Sequence, residues 1–284
     1  MIEGQEGVTW EHWVALAEAC QSAGLEGLFR SDHYLSIVRG GEAGSLDAWT
    51  TIAALAAQTE RIRLGTLVSP VTFRTPAVLA KAVVTAQEIS GGRVELGMGA
   101  GWYAAEHEAY GFPFPRVGER MDELERQLEV VTRHWDADGR VWPKPSPRPR
   151  LIVGGSAKPR TVRAAVRYAD EYNTVFATPE ECRERRERVD QAAGAAGREP
   201  LTFSLMTGAI VGRDQAELDD RVLRFQEVRG RPGDTPHVTG TLEQAVERLR
   251  EYERAGVERI MLQHLDHEDV DMVDVLGELA RAVA

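Results

Sequence analysis

The chain has 284 residues, more than the usual domain of about 100–200 yet close to the about 250 that a single α/β barrel takes. A formal charge of −11 and a pI near 5.2 leave no general basic field, which argues against nucleic acid or an anionic membrane and for a small-molecule partner. Hydrophobic residues at 43% and charged residues at 28% are ordinary globular usage, so disorder is excluded.

The opening residues Met1-Ile2-Glu3-Gly4-Gln5-Glu6 have neither a basic nor an apolar signal-peptide region, and no apolar run approaches the roughly 18 residues of a membrane span. The two cysteines, Cys20 and Cys182, lie far apart without metal-ligand spacing. Both features predict a reduced, cytoplasmic protein. Helical period runs over residues 9–23, followed by a short apolar strand at 27–31 and a helix at 46–59. The alternation continues with strand 62–68, helix 77–89, strand 93–98, helix 118–135, strand 151–154 and helix 159–169. Strand 172–176, helix 179–195, strand 202–210, helices 215–229 and 242–255, strand 259–264 and helix 270–282 complete it. Repeated βα units with buried strands predict a parallel sheet, and about eight of them point to a (β/α)8 barrel built from residues 1–284 as one domain.

Two stretches break the pattern. Only Met1-Ile2 precedes the loop 3–8, whereas a barrel strand needs about five residues, so the first strand reads as truncated. This predicts either a start further upstream or an unpaired edge that something covers. Segment 136–150 carries Pro143, Pro145, Pro147 and Pro149 and is expected as a linker over the barrel mouth.

Reactive groups of a barrel lie at the C-terminal strand ends. After strand 27–31 come Asp32 and His33, a carboxylate beside an imidazole that suits proton transfer or, equally, a loop ion pair. After 62–68, Phe73 and Arg74 between Pro70 and Pro76 either wall a planar ligand or form a rigid turn. After 93–98, Gly97-x-Gly99-x-Gly101 lets backbone approach a flat ring, or packs a strand closely on a helix. After 151–154, Gly155 and Ser156 open a helix whose free N–H groups suit an anion, with Lys158 and Arg160 adding charge. His264 and His267 beside acids are read as solvated surface groups, so no metal is expected.

Taken together, Ser31-Asp32-His33-Tyr34, Leu64-Gly65-Thr66-Leu67-Val68-Ser69-Pro70, Phe73-Arg74-Thr75-Pro76-Ala77, the run from Gly92 to Trp102, and Val153-Gly154-Gly155-Ser156 resemble the bacterial luciferase-like monooxygenase superfamily. The resemblance extends over Glu106 to Arg120 and Gly240 to Gln244, and its nearest subgroup is the coenzyme F420-dependent oxidoreductases. It implies a (β/α)8 barrel with a flavin or deazaflavin ring at the mouth. Carried over by position, Asp32 and His33 face the ring as catalytic residues, and Leu67-Val68, where the family often has a non-prolyl cis peptide, presses behind it. Gly99, Ala100, Gly101 and Trp102 line the ring and tail, and Gly154, Gly155 and Ser156 hold the phosphate, with Thr174 on the neighbouring strand. The implied activity is hydride transfer between coenzyme F420 and an unidentified small organic substrate, with His33 handling the accompanying proton.

The resemblance has departures. Glu3 and Gln5 follow a missing strand body and are expected to be out of place. Ile37 and Trp102 stand where sugar-phosphate dehydrogenases of the family carry Trp and an acid, which argues against that substrate. The segment after Trp135 is shorter than the family's lid insertion. Two other readings stand beside the deazaflavin enzyme: an FMN-dependent two-component monooxygenase using dioxygen, and a non-catalytic flavin-binding relative. A homodimer and a flavin or F420 reductase are the partners the resemblance implies. Loops 37–44 and 230–238 are expected to shape the substrate pocket.

Overall fold

The computed structural model describes residues 1–38, 43–136, 138–229, 233 and 235–284. Among them α1 (Trp10–Ala23) leads to β1 (Gly27–Arg30), α2 (Ala48–Gln58) to β2 (Arg63–Pro70) and α3 (Pro76–Ser90) to β3 (Val94–Gly99). Two helices follow, α4 (Ala104–Tyr110) and α5 (Val117–Trp135), before β4 (Arg150–Gly154), α6 (Pro159–Tyr168), β5 (Glu171–Val175) and α7 (Pro179–Ala195). The remainder is β6 (Thr202–Gly212), α8 (Gln215–Arg229), β7 (Val238–Thr241), α9 (Leu242–Arg254), β8 (Arg259–Gln263) and α10 (Asp271–Val283).

Local chemistry sets these limits. The Thr9 hydroxyl accepts from the His12 N–H to cap α1, and Pro76, Pro159 and Pro179 sit where a helix needs no donor. Gly24 and Gly91 close α1 and α3 in the left-handed conformation, φ 75° and 65°. Two elements escaped the periodicity reading, the seven-residue α4 and the four-residue β7.

All strand pairs are parallel. Strands β1 to β6 follow in sequence order, and β8 joins β6 along Ser204–Gly208. Ile2 bridges both Arg30 and His264 and so links β1 to the end of β8 at the mouth of the barrel. Its N–H donates to the Phe29 carbonyl at 2.9 Å, and its own carbonyl accepts from Ser31 at 3.1 Å. Strand β7 lies outside the closure, paired with Ala209–Gly212 of β6 beyond the reach of β8.

The main core fills the space between barrel and helices, and a smaller one of Phe29, Leu67, Ile152, Met206 and Met261 fills the barrel itself. At the opposite end Arg259 of β8 spans Glu95 and Glu171, both fully buried, at 2.7 and 3.0 Å. Arg63 and Arg150 complete this ionic plug.

The proline-rich segment does not cross the mouth. Helix α5 runs back from the mouth, so the link to β4 lies at the other end of the barrel and along α3. There Lys81 donates to the Trp142 carbonyl and Gln87 to that of Pro147. Its length therefore says nothing about how open the mouth is.

Candidate active site

The strand ends bring His33 and Glu106 together, the Nδ1 of one 2.7 Å from the Oε1 of the other. Glu106 is 1% exposed in the first turn of α4, and its second oxygen accepts from the Tyr34 N–H at 3.0 Å. That leaves the carboxylate fixed in place and the Nε2 of His33 without a hydrogen-bond partner among the described residues. Burial by itself would lower the His33 pKa. The hydrogen bond and charge of Glu106, with Glu3 and Asp32 behind, raise it above its ordinary value. Trp102, 61% exposed at the rim, and Tyr103 set their rings edge-on to the imidazole at 5.7 and 6.2 Å.

Asp32 points elsewhere. Its almost fully buried carboxylate accepts from Ser69 Oγ at 2.6 Å and from Arg74 at 2.6 and 3.2 Å, in a cluster that also holds the half-buried Tyr34 and Asp47. The ion-pair reading thus describes Asp32, while His33 has a different carboxylate partner. Arg74 and Phe73 are engaged within the protein. Arg74 is taken up by the two aspartates, and the Phe73 ring is stacked with Tyr34 at 5.0 Å and Phe112 at 4.7 Å.

Behind His33 the Leu67–Val68 peptide is cis, and the β2–β3 register shifts between Thr66 and Ser69. The displaced Val68 side chain explains Gly99, where a Cβ would lie 2.6 Å from Val68 Cγ2, while at Gly97 a Cβ would meet the Thr66 carbonyl oxygen first and Val68 Cγ1 next, at 2.9 Å. Gly101 has φ 78°, which turns the chain towards Ala100 and Trp102 at the rim. Leu67 faces the barrel interior.

After β4, a Cβ at Gly154 would meet the Asn173 carbonyl at 2.8 Å. Ala157 takes a positive φ of 53° and donates its N–H to the Tyr172 hydroxyl at 2.8 Å. This turn leaves exposed Ser156 at the start of α6, its hydroxyl unpaired among the described residues. Arg160 adds no charge there, because it pairs with Asp122 and Glu125 of α5. Thr174 is buried with its hydroxyl accepting from Arg185 at 2.8 Å, so a guanidinium the sequence reading passed over stands beside this turn.

Glu3 and Gln5 are held in place after all. Gln5 is fully buried, donates to Glu3 at 2.7 Å and accepts from Ser31, and Gln263 donates to Glu3 from β8. His264 and His267 are buried, not solvated, with His264 Nε2 2.9 Å from the Asp269 carbonyl oxygen and His267 against the His12 ring. Of the pocket loops, residues 39–42, 230–232 and 234 lie outside the described residues. No described helix is long and apolar enough to cross a membrane.

The luciferase-like monooxygenase family model matches residues 2–259, and the chain belongs to that family. A phthiodiolone/phenolphthiodiolone dimycocerosates ketoreductase of Mycobacterium kansasii is 29% identical over 248 residues, which cover 79% of this chain and 65%, under two thirds, of that relative. An F420-dependent glucose-6-phosphate dehydrogenase of Amycolatopsis mediterranei is 35% identical over 127 residues, 44% of this chain and 38% of the relative. Among solved structures, an F420-dependent secondary alcohol dehydrogenase in complex with an F420–acetone adduct shares the fold with a TM-score of 0.81 at 18% identity, covering 100% of this chain and 98% of that one.

Proposed function

We propose that this chain is a coenzyme F420-dependent oxidoreductase that exchanges a hydride with a small organic substrate at the barrel mouth, with His33 moving the accompanying proton. The observation that carries the reading is an imidazole with one nitrogen anchored on a buried carboxylate and the other unpaired beside a glycine-lined strand end. The F420-dependent relative supports the choice of cofactor.

The residues present fit such a group. The Val68 bulge would back the ring, the open backbone of Gly99 to Trp102 would edge it, and Gly154, Gly155 and Ser156 would take the phosphate, with Arg185 close by. Bound coenzyme F420 supplies hydride chemistry at a flat ring. His33 holds the proton at Nε2, since Nδ1–H donates to Glu106, and delivers it to the substrate oxygen or removes it in the reverse direction. Glu106 keeps the imidazole in that orientation and stabilises its charged form. Trp102 and Tyr103 shield the imidazole from water. Asp32 positions the loop after β1 through Ser69 and Arg74.

The family's monooxygenase name keeps FMN with dioxygen as the second reading. Calorimetric titration with coenzyme F420 and, separately, FMN decides between them. Binding of F420 at micromolar concentration with weaker FMN binding supports the proposal, and preference for FMN replaces it with the monooxygenase. Tight binding without turnover on aldehydes, enones or alcohols leaves a non-catalytic relative.

A further inference from the structure

Phe176 follows β5 in a backbone conformation that its side chain resists. Its φ is 44°, in the left-handed region that glycine enters freely and a bulky residue does not. The turn is held from both sides. The Phe176 N–H donates to the Met206 carbonyl at 2.9 Å, the carbonyl of buried Ala177 accepts from the Tyr252 hydroxyl at 3.0 Å, and Thr178 caps α7. Packing does not offset the strain, since the residue is 52% exposed and joins neither the outer core nor that of the barrel.

The strand order gives this exposed ring its meaning. Counting from β1 through β2, β3 and β4, or the other way through Ile2, β8 and β6, β5 is the fourth strand, so Phe176 stands on the rim directly across from His33. Trp102 is the exposed aromatic on the His33 side. Below the rim Leu67, Val68, Val175 and Met206 pack on the inner core and make the floor apolar. Nearby charges are engaged, Arg185 by Glu181 at 3.1 Å and the Glu3 carboxylate by Gln5 and Gln263.

We propose that Phe176 is a specificity-determining residue, holding the apolar body of the substrate at the rim while the substrate's oxygen points at His33. The substrate class is an uncharged ketone, or the matching alcohol, that carries an aliphatic or aromatic group. An anionic group in that place would face an apolar ring and the Glu3 carboxylate, neither of which stabilises it. The inference rests on the functional reading above, in which the carbonyl carbon takes a hydride from the reduced coenzyme and the oxygen takes a proton from His33.

The test measures binding of acetophenone, 2-octanone and pyruvate by saturation-transfer NMR to the chain loaded with oxidised F420, which cannot reduce them. Phe176→Gly and Phe176→Leu are run beside the parent, and the Tm of each is taken without cofactor. The parent should bind the two apolar ketones at least about tenfold more tightly than pyruvate. Phe176→Gly should lose about fivefold or more of that preference while F420 affinity stays within about threefold. Its Tm should be no lower than the parent's, because glycine relieves the left-handed strain, whereas loss of a residue that served only the fold would lower it. Phe176→Leu, which keeps an apolar side chain, should stay within about threefold of the parent for 2-octanone. Equal binding of pyruvate, a preference retained in Phe176→Gly, or a Tm that falls together with the preference would each overturn this proposal and leave the functional reading standing. A parent that takes up no F420 removes both.

Discussion

The Nδ1 of His33 sits 2.7 Å from the Oε1 of Glu106, although 73 positions separate them in the chain. The raised His33 pKa means that the folded protein holds this proton more tightly than the unfolded chain does. The pair's contribution to stability is therefore full below the ordinary histidine value and disappears as pH rises through the folded one. In Glu106→Gln only the burial effect remains strong, which favours neutral imidazole. The His33 ring resonances should then titrate at lower pH by NMR, and the alkaline limb of turnover should move the same way. An unmoved midpoint would show that Glu106 does not control the proton.

His33→Ala should lower kcat by about 10²–10⁴-fold, the usual worth of a positioned acid or base. Cofactor affinity by titration should change by less than about threefold, because the proposed site rests the ring on Val68 and the glycine strand and not on His33. A loss confined to affinity would make His33 a binding residue only.

Gly99→Ala places a Cβ 2.6 Å from Val68 Cγ2. Overpacking of this kind costs about 1–3 kcal/mol, read as a fall in denaturation midpoint. Val68→Ala removes the opposing methyl, so the double variant should be more stable than the two single losses add up to. Strict additivity would mean that the bulge does not rest on the glycine.

Arg259→Met leaves Glu95 and Glu171 facing each other, both at 0% exposure, and should cost about 3–5 kcal/mol in urea unfolding near pH 8. Burial raises the Glu171 pKa against the opposing pull of Arg259 and Arg150. A raised carboxylate binds its proton better in the folded state, so stability falls as pH rises from the unfolded value through the folded one. The variant's deficit relative to the parent should accordingly shrink at pH 5. A deficit independent of pH would assign the loss to packing.

The barrel was legible in the sequence because its strands are short apolar runs set between amphipathic helices, with Pro76, Pro159 and Pro179 and several glycines marking the limits. Helix α4 was not, since seven residues containing both Glu106 and His107 carry too few apolar positions to show a period. Strand β7 was hidden for a similar reason, having four residues, one of them Gly240, and a partner only on the overhang of β6. At the site, residue types at strand ends pointed to His33 and the glycine runs. Partner choice was invisible, because Asp32 finds Arg74 across 42 positions and His33 bypasses its neighbour for Glu106. Such pairings depend on where side chains emerge from adjacent strands, which no local spacing encodes. Glu106 entered the sequence reading only as part of the stretch Glu106 to Arg120 that carries the family resemblance.

Strand β6 has a double allegiance. Residues up to Gly208 belong to the barrel wall through β5 and β8, while Ala209–Gly212 stand above the rim and hold β7. The ladder that closes the barrel and the ladder that anchors the 213–237 excursion thus share a strand but no residues. Leu218 and Phe225 of α8 pack on Ile210 and Leu265, and Arg221 pairs with Asp269, so α8 is tied back to the strand ends from which the overhang rises.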